Sequence, residues 1–265
     1  PAGDVAIGLG QRRRAAQRQQ FREPLPSGGL DIHGAHPRRV ATALDGDAGC
    51  RAQRGGEVRL ATRLCAARAV GGGWQVETPD GVIACAILIN AAGAWADDVA
   101  RASGVAPIGL TPLRRTVVQL GVPSMPSPDL PLIMDLAGQF YFKPEGQGRV
   151  WLTPHDEAPS PPCDAAPEEL AVAEAIARFE KAVDWPIARV EHVWAGLRSF
   201  APDRAPVYGF DPDRPGFFWF AGQGGFGIQT APAAALLGAS LLTGKAMPPA
   251  IASLDIAAYA PELLR

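Results

Sequence analysis

Phe217-Phe-Trp-Phe-Ala-Gly-Gln-Gly-Gly-Phe-Gly-Ile-Gln-Thr230 decides how this chain is read. The apolar run at its start has the composition of a buried strand, the glycines make a turn, and a helix is expected to begin near Ile228. That helix can be followed through Ala233, Leu236, Leu237, Ser240 and Leu241 to Gly244, a suitable stop. A strand running through glycines into a helix aims unpaired backbone N–H groups and the positive end of a dipole at one point. An anionic or electron-rich ligand is expected there. Just upstream, Trp194-Ala-Gly-Leu-Arg-Ser-Phe200 sets an arginine two residues past a glycine, at the end of another apolar run.

Three further pieces precede these two in order: Asn90-Ala-Ala-Gly-Ala-Trp95, Leu113-Arg-Arg-Thr116 and Phe140-Tyr-Phe-Lys-Pro-Glu145. Together the five resemble the D-amino-acid-oxidase-like FAD-dependent oxidoreductases, and within that family the D-arginine dehydrogenase group. The likeness extends from about Gly55 to Gly244. It implies an α/β fold: part of a Rossmann-like FAD-binding domain, with an inserted α+β substrate domain built on an antiparallel sheet. It also implies a flavoprotein oxidoreductase with FAD held non-covalently, since no cysteine lies within the flavin-wrapping pieces.

Composition agrees with a globular protein: 47% hydrophobic and 20% charged residues, with a net charge of −2. Nothing in that balance points to nucleic acid or a membrane surface. The longest apolar stretches, 82–96 and 228–242, are too short and interrupted to span a bilayer. Cys50, Cys65, Cys85 and Cys163 lie far apart without a Cys-x-x-Cys pair, so free thiols and a cytoplasmic protein are expected. His33, His36, His155 and His192 show no metal-ligand spacing, and none sits in a nucleophile elbow. Zinc-enzyme and hydrolase chemistry therefore find no support in the motifs.

Residues 1–54 read as an irregular or non-native segment. Ile7-Gly-Leu-Gly10 is followed by Gln11-Arg-Arg-Arg14, without the third glycine and apolar helix of a pyrophosphate-binding turn. The expectation is a truncated or frame-shifted product whose coherent reading begins near Arg51; a solvated basic tail or a targeting segment is the alternative. Beyond it, 55–106 and 193–246 are expected to form the remaining FAD-binding portions, 107–192 the substrate domain and 247–265 a C-terminal tail. Strands are expected at Glu57–Leu60 and Trp74–Thr78, with a Pro79-Asp-Gly81 hairpin turn, and one parallel strand over Ile83–Ile89. Arg115–Leu120, Gln139–Lys143 and Arg149–Thr153 also read as strands. A helix opens at Pro167-Glu-Glu-Leu170 and keeps Leu170, Ile176, Phe179 and Val183 roughly on one face.

Oxidising an amino acid at its α-carbon requires a clamped carboxylate and a neutral amine. A planar guanidinium accepts a carboxylate in bidentate fashion. The resemblance assigns that role to Arg198; a structural salt bridge to an acid such as Asp203 is the alternative. It brings the Tyr141 hydroxyl to the same carboxylate, against a half-buried strand tyrosine as the alternative. Strand alternation sends Arg114 and Arg115 to opposite faces, and the resemblance favours Arg115 as the inward one, with Arg114 solvated or structural. Gly224, Gly225, Phe226, Gly227, Ile228 and Gln229 match the run that wraps the flavin, with the Gly225 carbonyl free for the substrate amine. Phe226 departs from the tyrosine common in relatives. Ala92 and Gly93 are candidates for flavin contact, or for tight strand-to-helix packing.

The function implied is oxidation of the CH–NH2 group of a small-molecule amino acid by hydride transfer to flavin. D-amino acids, basic ones among them, lead as substrates, and oxygen or a quinone would reoxidise the flavin. Alternatives are a glycine/sarcosine-type amine oxidase and a non-catalytic remnant unable to hold FAD alone.

Overall fold

Glycine and proline turns cut residues 66–90 into short strands that serve two separate sheets. The computed structural model describes residues 57, 59, 62–125, 127 and 129–265, and the backbone of 5–7. It begins with β1 (Val5–Ile7), β2 (Ala66–Val70), β3 (Gly73–Thr78), β4 (Gly81–Cys85) and β5 (Ile87–Asn90). A 3-10 turn (Gly93–Trp95) and helix α1 (Ala96–Ala102) follow. The expected hairpin forms: β2, β3 and β4 make an antiparallel sheet, with Thr78 paired to Gly81 across the turn.

The expectation of one strand over Ile83–Ile89 is corrected. β4 ends at Cys85 in the hairpin sheet, whereas β5 lies parallel to β1 and to β13 (Phe217–Ala221) in another sheet. An apolar run carries no mark of where it changes partners, and the hairpin turn captures its first half. β12 (Val207–Phe210) completes this four-stranded sheet, in the order β1-β5-β13-β12.

Residues 8–56 lie outside the described residues, and with them the candidate glycine turn after Ile7, His33, His36 and Cys50. The strand expected at Glu57–Leu60 falls partly there too. Glu57 and Arg59, which are described, lie outside any strand and pair with each other. Val5–Ile7 belongs to the four-stranded sheet, so the organised fold reaches upstream of Gly55.

A third sheet is built on β6 (Thr111–Gly121), joined by β7 (Ile133–Met134), β8 (Tyr141–Pro144), β9 (Arg149–Thr153), β10 (Ala158–Pro159) and β11 (Arg189–Phe200). β11 pairs antiparallel with β6 along its whole length, Gly196 opposite Arg115 and Arg198 opposite Leu113. The domain boundary expected between 192 and 193 therefore falls inside one unbroken strand. Arg198 belongs to the antiparallel sheet.

Alternation gives this sheet two different faces. Val118, Leu120, Phe142, Val150 and Leu152 face helix α2 (Glu169–Ala182) and bury its Ala175 and Phe179. Trp185 closes that core, with its ring and that of Phe179 each edge-on to Phe142 or nearby at 5.0–5.8 Å from the Phe142 centroid. Leu170, expected on the same apolar face, is 71% exposed because it lies about two and a half turns from Phe179, on the opposite side of α2. Arg115, Tyr141 and Arg198 occupy the opposite face.

Two devices join the layers. Asp97 on α1 is buried, and its carboxylate accepts from the backbone N–H groups of Ile108, Gly109 and Leu110 at 3.0–3.1 Å, fixing the entry into β6. Each such buried donor left unmade costs about 1–3 kcal/mol. Residues 247–265, expected as a tail, pack back on the fold. Ile251 is buried, Leu264 joins the core around Trp74 and Trp219, and Arg265 pairs with the buried Asp211 carboxylate that also accepts from the Trp219 indole.

Helix α3 (Gly227–Thr243) covers β12 and β13 and ends at Gly244, whose φ of 64° is the left-handed cap expected of it. Beneath α3, burial pushes the Tyr208 hydroxyl up to about 12, with Gln223 offsetting part of the shift. The folded protein thus holds this proton more tightly than the unfolded chain, whose tyrosines ionise near pH ~10. Stability from this group is intact below about pH 10 and is lost as pH rises toward about 12, a loss of about 2–3 kcal/mol. Urea midpoints measured across that range are expected to fall in the wild type and to stay flatter in Tyr208→Phe. An identical slope in the variant would assign the alkaline loss to other groups.

Candidate active site

The register of β6 and β11 puts Arg115 and Arg198 on one face as diagonal neighbours, and Gly196 opposite Arg115 leaves open space where a side chain would stand. Tyr141, on β8, reaches the same face, and Arg198 Nη2 donates to its hydroxyl at 3.5 Å. No carboxylate pairs with Arg198 among the described residues, so the alternative of a salt bridge to Asp203 is not realised; Asp203 instead accepts from the Ala205 N–H.

Arg115 is 96% buried, its relative exposure being 4%. Its Nε donates to the Asp156 carbonyl at 2.8 Å and its Nη2 to Glu157 at 3.2 Å, while Nη1 has no hydrogen-bond partner. Burial, then the like charge of Arg198, pull this guanidinium below the ordinary arginine value, while nearby Tyr141 and Glu157 favour its charged form. Arg114 points the other way and is structural. It pairs with Glu168 at 2.5 Å and lies 3.6 Å from Asp156, which raises its pKa.

The two arginines open onto a cleft of about 540 Å³ bounded also by His155, Glu157, Phe200, Arg204, Gly225 and Phe226. Sequence reading missed His155, Glu157, Phe200 and Arg204. Three of them sit in loops, where no periodicity marks a facing side. Glu157 is shared: it accepts from Arg115 and, with both oxygens at 3.0 Å, from Arg204. Arg204 in turn lies 4.0 Å above the Phe200 ring. A positive φ of 64° at Arg204 marks the tight turn that brings it back over the cleft.

The glycine run closes the other side. Gly224 N–H donates to the Ser199 carbonyl at 2.9 Å, tying the run to β11 beside Arg198. A Cβ at Gly225 would lie 2.8 Å from Arg198 Nη1, and one at Gly224 only 2.4 Å from Phe200. The run delivers the chain to the N-terminus of α3, whose first N–H groups have no side-chain cap, and leaves Phe226 and Ile228 exposed there at 61% and 56%. A flat, electron-rich ring fits such a place: close backbone approach, free N–H donors, apolar contact. Ala92 is buried in the core shared by α1 and β5, and Gly93 (φ 59°) has open space around it. Of the two, Gly93 is the one with room for a ligand. Gln229 stands in the first turn of α3.

The likeness between chains agrees with this geometry. The sequence matches the family "DAO: FAD dependent oxidoreductase" over residues 6–241, well upstream of where the motifs alone suggested, and the chain belongs to that family. FAD is the cofactor of the family. It is similar to the FAD-dependent oxidoreductase domain-containing protein 1 of Xenopus laevis, 27% identical over 57% of this chain and 33% of that protein. It is also similar to the glycine oxidase of Pseudomonas putida, 31% identical over 71% of this chain and 48% of the enzyme. The chain thus spans between a third and a half of these relatives' lengths. Among solved structures, L-proline dehydrogenase from P. horikoshii shares the fold with a TM-score of 0.71 at 24% identity, covering 86% of this chain and 59% of that one. The glycine oxidase of Geobacillus kaustophilus does so with a TM-score of 0.67 at 23% identity, covering 84% and 56%. The likeness stands at family level rather than to D-arginine dehydrogenases in particular.

Proposed function

We propose that this chain carries the substrate side of an FAD-dependent oxidation of amino acids at the CH–NH2 group, with D-amino acids as the leading substrates. One observation carries the reading. Arg198, free of any carboxylate among the described residues, converges with Tyr141 and the unpartnered Nη1 of buried Arg115 on a cleft beside the glycine run. Arg198 and the Tyr141 hydroxyl hold the substrate carboxylate, and Arg115 Nη1 donates to its second oxygen or to a neighbouring carbonyl. The Gly225 carbonyl accepts from the amine. Gly224–Gln229 and Gly93, with Ala92 behind it, would line the isoalloxazine ring, non-covalently held. Bound there, the flavin supplies the two-electron acceptor for the α-hydrogen. Oxygen or a quinone would reoxidise it.

Glu157, the one acid lining the described cleft, is spent on Arg115 and Arg204. Selectivity for a basic side chain would therefore come from elsewhere. The 31% identity to a glycine oxidase over 71% of the chain supports a second reading, a glycine- or sarcosine-type amine oxidase using the same clamp. No helix among the described residues is long and apolar enough to cross a membrane, and the cytoplasm is the proposed location.

The test is an absorbance titration of the FAD-supplemented chain under anaerobic conditions with D- and L-amino acids, glycine and sarcosine. Bleaching of bound flavin by D-amino acids is the expected result, and bleaching by glycine and sarcosine alone would favour the second reading. Bound flavin that no amino acid bleaches would sink both. Failure to take up FAD would identify the chain as a non-catalytic remnant.

A further inference from the structure

His155 is held in a way that the clamp does not explain. Its φ of 56° places a non-glycine residue in the left-handed region, which side chains disfavour. The Thr153 hydroxyl accepts from its backbone N–H at 3.1 Å, and Nδ1 meets the Gly138 carbonyl at 2.7 Å. A carbonyl can only accept, so Nδ1 carries a proton, and in the neutral ring the lone pair is on Nε2. The ring stands edge-on to Tyr141 with centroids 5.4 Å apart, and the residue lines the cleft. No hydrogen-bond partner occupies Nε2 among the described residues.

The charges around it give the lone pair a task. Arg115 from β6, Arg198 from β11 and Arg204 from the following loop face the cleft, against Glu157 from the same loop as His155; the Tyr141 hydroxyl from β8 meets Arg198. A substrate that arrives as an ammonium is disfavoured in this field, yet its carboxylate is wanted, so the ammonium proton has to leave. The Glu157 carboxylate is engaged by two guanidiniums and the Tyr141 hydroxyl already accepts from Arg198. Of the side chains lining the described cleft, only His155 offers an uncommitted nitrogen lone pair.

We propose that His155 Nε2 accepts the proton of the substrate ammonium, converting it to the neutral amine. This rests on the clamp reading above. One N–H bond of the ammonium breaks, its electron pair stays on the substrate nitrogen, and a new N–H bond forms at Nε2. The imidazolium keeps its Nδ1–H on Gly138. No oxidant takes part in this step. His155 is thereby a catalytic residue, placed by the loop that follows β9.

The test is nitrogen NMR of the FAD-supplemented chain labelled at histidine, with the His155 signals assigned by their loss in His155→Asn. Two ligands are compared: 2-aminoisobutyrate, which has an amine but no α-hydrogen, and isobutyrate, which has only the carboxylate. Nε2 is expected to change from lone-pair-bearing to protonated with 2-aminoisobutyrate and not with isobutyrate. His155→Asn is expected to lower kcat/KM about 10²-fold at neutral pH, the deficit shrinking as pH rises and the amine arrives neutral. Binding of both ligands with Nε2 unprotonated throughout overturns the proposal and leaves the clamp standing. Binding of neither ligand, or isobutyrate binding unaffected by Arg198→Ala, overturns the clamp reading and this proposal with it.

Discussion

Replacing Arg198 with alanine is expected to lower kcat/KM for an amino acid by about 10³-fold, roughly 4 kcal/mol of transition-state stabilisation. Two charge-assisted hydrogen bonds to the substrate carboxylate are lost at once, and with them the orientation of the α-carbon. Among the described residues the guanidinium makes one long hydrogen bond, to Tyr141 at 3.5 Å, so its removal is expected to leave folding stability nearly unchanged. Arg198→Lys keeps the charge without the fork and is expected to recover only part of the loss. A double-mutant cycle sharpens the reading. Gly225→Ala places a methyl 2.8 Å from Arg198 Nη1 and pushes the guanidinium aside, whereas Arg198→Ala removes all three of the atoms nearest that methyl. Additive effects of the two substitutions, or an Arg198→Ala enzyme that binds carboxylates as the parent does, would remove Arg198 from the clamp.

Gly224→Ala is expected to be the most damaging single methyl in the cleft. The residue has φ 54°, and its added Cβ would lie 2.4, 2.9 and 3.0 Å from three atoms of the Phe200 ring. That ring is 6% exposed and carries Arg204 on its face, so it has little room to retreat. Backbone strain and overpacking together amount to about 3 kcal/mol, on the order of 8 °C in Tm for a chain of this size. Gly71→Ala is the control: its φ is 58°, but nothing lies within 4 Å of the new methyl. Only the backbone cost, about 1 kcal/mol, is expected there. Equal shifts in Tm for the two variants would show that Phe200 does not pack on the glycine run as described.

Part of this neighbourhood is legible in the amino-acid sequence, and for a local reason. Alternation separates Arg114 from Arg115 in β6, the resemblance names Arg115 and Tyr141 for the cleft, and the helix expected near Ile228 and stopped by Gly244 is found over Gly227–Thr243. The Pro79-Asp80-Gly81 turn and the strand Arg149–Thr153 were visible in the same way. The misreadings share an opposite cause. The apolar stretch Ile83–Ile89 changes sheets at Ala86, and β11 runs through the expected domain boundary, because hydrophobicity reports burial without naming the partner. The C-terminal residues looked like a tail, yet Arg265 closes on Asp211, a residue 54 positions away.

The amino-acid sequence by itself determined most of the strands and the closing helix, and its ordered motifs carry the family resemblance on which the three residues proposed for the clamp rest. Only the tertiary structure decided that Arg115 is held by Glu157 and the Asp156 carbonyl, that Arg204 shares that carboxylate, and that His155 lines the cleft with Nδ1 against the Gly138 carbonyl. Backbone periodicity is a property of neighbours in the chain and can be read from a window of residues. A loop has no such period, so what its side chains meet is settled only when elements distant in sequence pack together.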